Sequence, residues 1–122
     1  MRVENTRSKG RTGEDIAVKY LLNEGFQIIA RNYFKRFGEI DIIAVDKGMT
    51  VFIEVKCLKN ENFLNIYETI SQKKKEKLIK LAKIWLIQNH RQIDSEFRID
   101  FLGIVFDGTC TRRILHLKNS IY

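Results

Sequence analysis

The apolar positions of this chain follow two rhythms. Ile16, Ala17, Tyr20 and Leu21 recur at helical spacing, with Thr12 placed to cap the start and Gly25 to stop the end, which predicts a helix over about 13–24. Residues 26–31 read as a first strand and 32–38 as a basic turn. Ile40-Asp41-Ile42-Ile43-Ala44-Val45 and Val51-Phe52-Ile53-Glu54-Val55 are apolar on both faces, the pattern of a sheet covered on both sides. Asp46-Lys47-Gly48 between them is a hairpin signal, so these two strands are expected to be antiparallel neighbours. Residues 58–68 have no clear period and read as a loop. A second helix is predicted over about 70–89, its stripe formed by Leu78, Leu81, Ala82, Trp85 and Leu86, and strands follow over 98–106 and, shorter, 114–117. The order α-β-β-β-α-β is that of an α/β protein with a central mixed β-sheet flanked by helices.

Composition narrows the partner more than the fold. At 122 residues, with 44% hydrophobic and 30% charged, the chain encloses one core. Residues 1–11 are polar and carry Arg2, Arg7, Lys9 and Arg11, so a flexible basic arm is expected ahead of a single domain over 12–122. A net charge of +7 points to a polyanion, in the first place nucleic acid. Cys57 and Cys110 form no Cys-x-x-Cys pair and are expected as buried free thiols of a reducing compartment. No apolar run suits a signal peptide or a membrane span, which gives a cytoplasmic chain with no membrane partner.

Three residues carry the chemistry. Residues two apart on a strand share a side, so Glu54 and Lys56 project together, and Asp41 reaches them from the neighbouring strand. Charges buried there need compensation, and hard oxygen ligands suit Mg2+ or Mn2+ completed by water and a substrate phosphate. A metal so held would activate water toward phosphorus, with Lys56 offsetting charge on the phosphate. The plainer alternative is a buried Glu54–Lys56 ion pair with Asp41 capping a turn. Glu14, in the first turn of the first helix, either complements the helix dipole or joins this group. Lys73, Lys74, Lys75 and Lys77 crowd the start of the second helix, where the dipole disfavours cations, and an anion accepting them and the helix amides relieves the conflict. Lys74 continues the core-facing stripe and is the candidate phosphate contact, whereas Lys80 and Lys83 belong to a solvated face. His90 and His116 have no ligand spacing and read as surface or edge residues, and Asp100 as a partner of Arg98 or a buried polar group. A phosphate-binding glycine loop and a nucleophilic triad are both lacking.

Gly13-Glu14, Gly38-Glu39-Ile40-Asp41, Phe52-Ile53-Glu54-Val55-Lys56, Lys74, Arg98-Ile99-Asp100 and the closing Ile114-Leu115-His116-Leu117-Lys118-Asn119 together resemble the YraN-like family of small bacterial proteins. That family is placed in the restriction-endonuclease-like superfamily, marked by an aspartate followed by an acidic-x-lysine triplet, and is similar to archaeal Holliday junction resolvases. The resemblance implies a restriction-endonuclease-like core, Asp41 and Glu54 as metal ligands with the Val55 carbonyl as a third, Lys56 as catalytic lysine and Glu14 as an additional acidic contact. Where family members often carry an arginine shortly after the triplet lysine, this chain has Cys57-Leu58-Lys59, so that phosphate contact is either missing or moved to Lys59. The proline often found ahead of Lys74 is replaced by Ile70-Ser71-Gln72-Lys73.

The expected function is therefore a Mg2+- or Mn2+-dependent endonuclease acting on DNA, with branched or junction DNA as the suggested substrate. Arg11, Lys35, Arg36, Lys59, Lys73, Lys74 and Lys77 form the candidate nucleic-acid surface. The alternative is a nucleic-acid-binding module that keeps the fold without turnover. Cutting two strands of a junction would be served by a symmetric homodimer, for which Phe63, Ile66 and Tyr67 either form the interface or instead pack under their own loop.

Overall fold

The structure is a computed structural model that describes residues 6–58, 72–89, 96–107 and 110–119. Seven elements follow in the order α1 (Thr6–Asn23), β1 (Gln27–Lys35), β2 (Gly38–Asp46), β3 (Met49–Leu58), α2 (Gln72–Gln88), β4 (Phe97–Asp107) and β5 (Cys110–Leu117). The strands form one sheet in the order β1-β2-β3-β4-β5. Every neighbouring pair is antiparallel except β3 with β4, which are parallel. The protein is thus α/β with a mixed sheet, and the short strand expected over 114–117 is longer, a full fifth strand over Cys110–Leu117.

One helix covers each face. On the α2 side, Leu78, Leu81, Ala82, Trp85 and Leu86 pack on Ile40, Ile43, Phe52, Phe97, Ile99 and Phe101. Phe52 sits at the centre, edge-on to Trp85 at 5.7 Å and to Phe97 at 5.6 Å between ring centroids. On the α1 side, Ala17, Leu21 and Phe26 cover Ile42, Ala44, Val51, Ile53, Leu102 and Ile104. The central strands read as continuous apolar runs because both their faces are covered.

Local chemistry sets the turns that hold this order. α1 ends where Gly25 takes φ +92°, letting the Phe26 amide bond back to the Leu21 carbonyl at 2.9 Å and the Gly25 amide to Leu22 at 3.1 Å. Phe26 and Leu21 then share one core, the hydrophobic contact that accompanies this helix ending. Between β2 and β3, Lys47 and Gly48 both take positive φ, +51° and +85°, the two-residue turn whose twist suits a hairpin.

Several boundaries differ from expectation. α1 begins at Thr6, so Thr12 lies inside it and residues 6–11 are helical; the helix runs polar beyond the end of its buried stripe, which hydropathy does not signal. Residues 1–5, the remainder of the expected arm, lie outside the described residues. β1 runs on to Lys35 through the expected turn, because Tyr33 pairs with Ile40 and reaches Gln88 of α2 through its hydroxyl at 2.6 Å. Cys57 is exposed, not buried: it stands near the end of β3 with its Sγ beside Gly13 of α1. His116 lies on the edge strand β5, as one of the two readings had it, but it is not a surface residue. Its side chain is only 7% exposed, because it is the partner of Asp100, which is fully buried. Among the described residues no helix is long and apolar enough to cross a membrane. Lys59, Phe63, Ile66, Tyr67 and His90 lie outside the described residues, and Arg11 lies in α1 with its side chain outside them.

Candidate active site

The antiparallel register of β2 and β3 pairs Ile42 with Ile53, and the next step toward the sheet end brings Asp41 beside Glu54. The Val55 amide donates to Asp41 Oδ2 at 2.8 Å, which fixes that carboxylate against β3. Glu54 is 7% exposed. Its Oε2 lies 2.5 Å from Nζ of Lys74, which comes from the first turns of α2. The plainer alternative, an ion pair of Glu54 with Lys56, is not what forms: Glu54 pairs with Lys74, and Lys56 stands exposed on β3.

Glu14 enters from α1 on the other side of the strands. Its carboxylate is held by Arg31 at 3.8 Å and by the Asn32 amide, which in its hydrogen-bonding orientation donates to Oε1 at 3.0 Å. Asn32 takes φ +56°, a conformation asparagine tolerates better than most residues and one that swings its amide toward the helix. Arg31 also binds Asp15 at 2.7 Å.

The electrostatics show how crowded the anions are. Burial, followed by the Glu54 charge, pushes Asp41 up to about 8; the Val55 amide opposes this, and Glu14 and Glu39 add to it. Glu14 is also raised, by burial first, with Arg31 and Asn32 opposing and Glu39 and Asp15 adding. Glu39 was part of the quoted Gly38–Asp41 motif but carried no role in it, and the structure shows its charge acting on both Glu14 and Asp41. Arg31 and Asn32 were likewise missed, because a strand-to-helix contact leaves no periodic signal.

Beside this group lies a groove of about 300 Å³ lined by Phe37, Gly38, Glu39, Lys73, Lys74, Lys77, Leu78 and Leu81. Three of the expected nucleic-acid contacts, Lys73, Lys74 and Lys77, therefore meet in one place. Lys35 and Arg36 sit at the adjoining β1–β2 turn, Lys35 with its ammonium 5.5 Å from the Tyr33 ring centre. No three His, Cys, Asp or Glu side chains among the described residues are arranged to hold a metal ion by themselves. Two carboxylates, however, are what a magnesium-type ion commonly takes from protein, with water and substrate phosphate supplying the rest. The negative charge that helps raise the proton affinity of Asp41 is also what a divalent cation would neutralise. The donor set fits such an ion.

Gly13 has a role of its own here. A Cβ at that position would lie 2.3 Å from Cys57 Sγ, so α1 approaches β3 through a glycine next to Glu14. Alanine is favoured over glycine inside a helix by about 1 kcal/mol, whereas overpacking costs about 1–3 kcal/mol. Gly13→Ala is expected to destabilise the wild type, and to become neutral or stabilising in a Cys57→Ala background. Urea denaturation of the four proteins measures the cycle, and an equal effect in both backgrounds would exclude the contact.

The solved structure of Pyrococcus furiosus SfsA in complex with Ca2+ is similar with a TM-score of 0.40 and 18% identity, covering 93% of this chain and 64% of that chain. A UPF0102 protein of Persephonella marina is 40% identical over 112 residues, 92% of this chain and 91% of its own. One of Clostridioides difficile is 36% identical over 95% of this chain and 98% of its own. Residues 13–104, from the glycine that admits Cys57 to the middle of β4, match the family described as Uncharacterised protein family UPF0102, and the chain belongs to this YraN-like family.

Proposed function

We propose that the protein is a metal-dependent endonuclease that hydrolyses DNA phosphodiester bonds, on a core of the restriction-endonuclease-like kind. The observation that carries this reading is the Asp41–Glu54 pair: two carboxylates brought together by a hairpin, one with its proton held to about 8 by burial and by the other's charge. Mg2+ or Mn2+ would be held by Asp41 and Glu54 with the Val55 carbonyl, and when bound it supplies Lewis acidity toward a phosphate oxygen and lowers the pKa of water.

The chain's own residues have separate tasks. The Val55 amide keeps Asp41 oriented through its 2.8 Å bond. Lys74 neutralises Glu54 in the metal-free protein and, from the groove edge, is placed to meet a phosphate when that carboxylate has another partner. Lys56 stands exposed on the same strand as Glu54 and offsets charge that grows on the phosphate during attack. Glu14, with its raised proton affinity, is placed to accept a proton from an attacking water. Lys73 and Lys77 extend the cationic surface along the groove.

The test is incubation of pure protein with labelled linear, nicked and four-way-junction DNA, with Mg2+, Mn2+ or EDTA. Cleavage with either metal and none in EDTA is expected. If no substrate is cut in either metal, the reading is wrong, and a binding module without turnover takes its place.

A further inference from the structure

The end of β1 and the turn into β2 carry Tyr33, Phe34, Lys35, Arg36 and Phe37 in succession. Two of the three aromatic rings have a cation: Lys35 at 5.5 Å from Tyr33 and Lys80 at 4.7 Å from Phe37. Phe34 is different. It is 70% exposed, the most exposed large hydrophobic side chain among the described residues. Its cross-strand partner is Glu39, whose charge acts on both Glu14 and Asp41. Asp41 lies two residues farther along β2, a rise of roughly 7 Å. A bare aromatic ring thus stands within about two nucleotide steps of the carboxylates, with Arg36 exposed at the same turn.

We propose that Phe34 stacks on an unpaired base next to the scissile phosphate, so that the site takes nucleic acid that is single-stranded or splayed there. This rests on the reading of the Asp41 group as a phosphodiester-cleaving centre. An aromatic face set among cations is what binds exposed bases and their backbone together, whereas a base inside a duplex offers no free face. Charge favours a polyanion over a second copy of this +7 chain. The edge strand itself resists self-pairing: its register shifts between Ile28 and Ala30, Asn32 is left-handed, Arg31 is exposed along it and Arg36 just past its end.

Fluorescence anisotropy in EDTA reads binding without turnover, using labelled oligothymidylate, a splayed duplex and a blunt duplex. Phe34→Ala and Phe34→Leu are each expected to weaken oligothymidylate and splayed-duplex binding about tenfold, Phe34→Trp to retain it, and all three to leave the blunt duplex within about twofold. Wild-type affinity in Phe34→Leu would show that apolarity and not stacking matters, and would overturn the proposal. An equal loss on the blunt duplex, or no oligothymidylate binding by the wild type, overturns it too. So does a dimer in sedimentation that Phe34→Ala dissociates with DNA affinity unchanged, which assigns the ring to self-association. Stacking without cleavage in any metal would leave this contact standing while the endonuclease reading falls; cleavage by a chain indifferent to Phe34 would do the reverse.

Discussion

Asp41→Asn is expected to reduce metal-dependent cleavage by a factor on the order of a thousand while leaving the chain folded. Asparagine keeps an oxygen to accept the Val55 amide, so the hairpin loses no hydrogen bond; what it loses is the charge that would hold a cation. Stability should move the other way. In the metal-free protein Asp41 is raised from 3.8 to about 8, so between those values the folded chain binds a proton that the unfolded chain has released. Stability therefore falls as pH rises through that window. In EDTA at pH 9 the asparagine variant should melt above the wild type, and near pH 4 the two should converge. Added Mn2+ should raise the melting temperature of the wild type at pH 9 and leave the variant unmoved. A wild type that melts at the same temperature with and without Mn2+ would count against the site.

Asp100→Ala is expected to be the most destabilising substitution away from the site, by about 3–5 kcal/mol. Asp100 is fully buried. It accepts from Arg98 Nε at 2.8 Å and Nη2 at 3.0 Å, from the Asn119 amide at 2.9 Å, and bonds His116 Nε2 at 2.7 Å. Because an ionised carboxylate only accepts, Nε2 carries the hydrogen, and in the neutral ring Nδ1 is then free to accept from the Tyr20 hydroxyl 3.1 Å away. Arg98 also reaches Asp46 at 3.0 Å. The network therefore ties α1, the β2–β3 turn, β4 and β5 together; with its centre removed, the half-buried Arg98 keeps Asp46, but His116 Nε2 and the Asn119 amide lose their acceptor. Burial pushes Asp100 up, but the bonds from His116, Arg98 and Asn119 outweigh it and hold the group below its ordinary value. Its contribution is present above that ordinary value and is lost as pH falls through the depressed one. Chemical denaturation at neutral pH checks the magnitude, and a loss under about 1 kcal/mol would mean that the network relaxes around the change.

The contrast between these two clusters shows what a sequence displays. Asp41 and Glu54 were legible because a two-residue turn fixes their register and alternation fixes their sides. The apolar stripe of α2 was legible as well, and all five of its residues are buried. The Arg98–Asp100 pairing could be suspected from spacing, but His116 could not, because it meets Asp100 through strand pairing across a segment with no periodic signal of its own. Arg31 and Asn32 escaped for the same reason, since a side chain that leaves an edge strand for a helix obeys neither period. The N-terminal half of α1 shows the opposite limit, a helix that extends past its own hydrophobic face.

The single parallel pairing, β3 with β4, gives the site an order of assembly. β1, β2 and β3 are joined by two-residue turns and can zip locally, whereas aligning Thr50 with Phe97 requires the chain first to close a loop that contains α2. Asp41 and Glu54 thus meet in the fast, local part of folding, and Lys74 arrives with the slow, distant part. Until it does, the nascent hairpin holds two like charges face to face, so a divalent cation that binds them would act on the folding rate as well as on the finished fold.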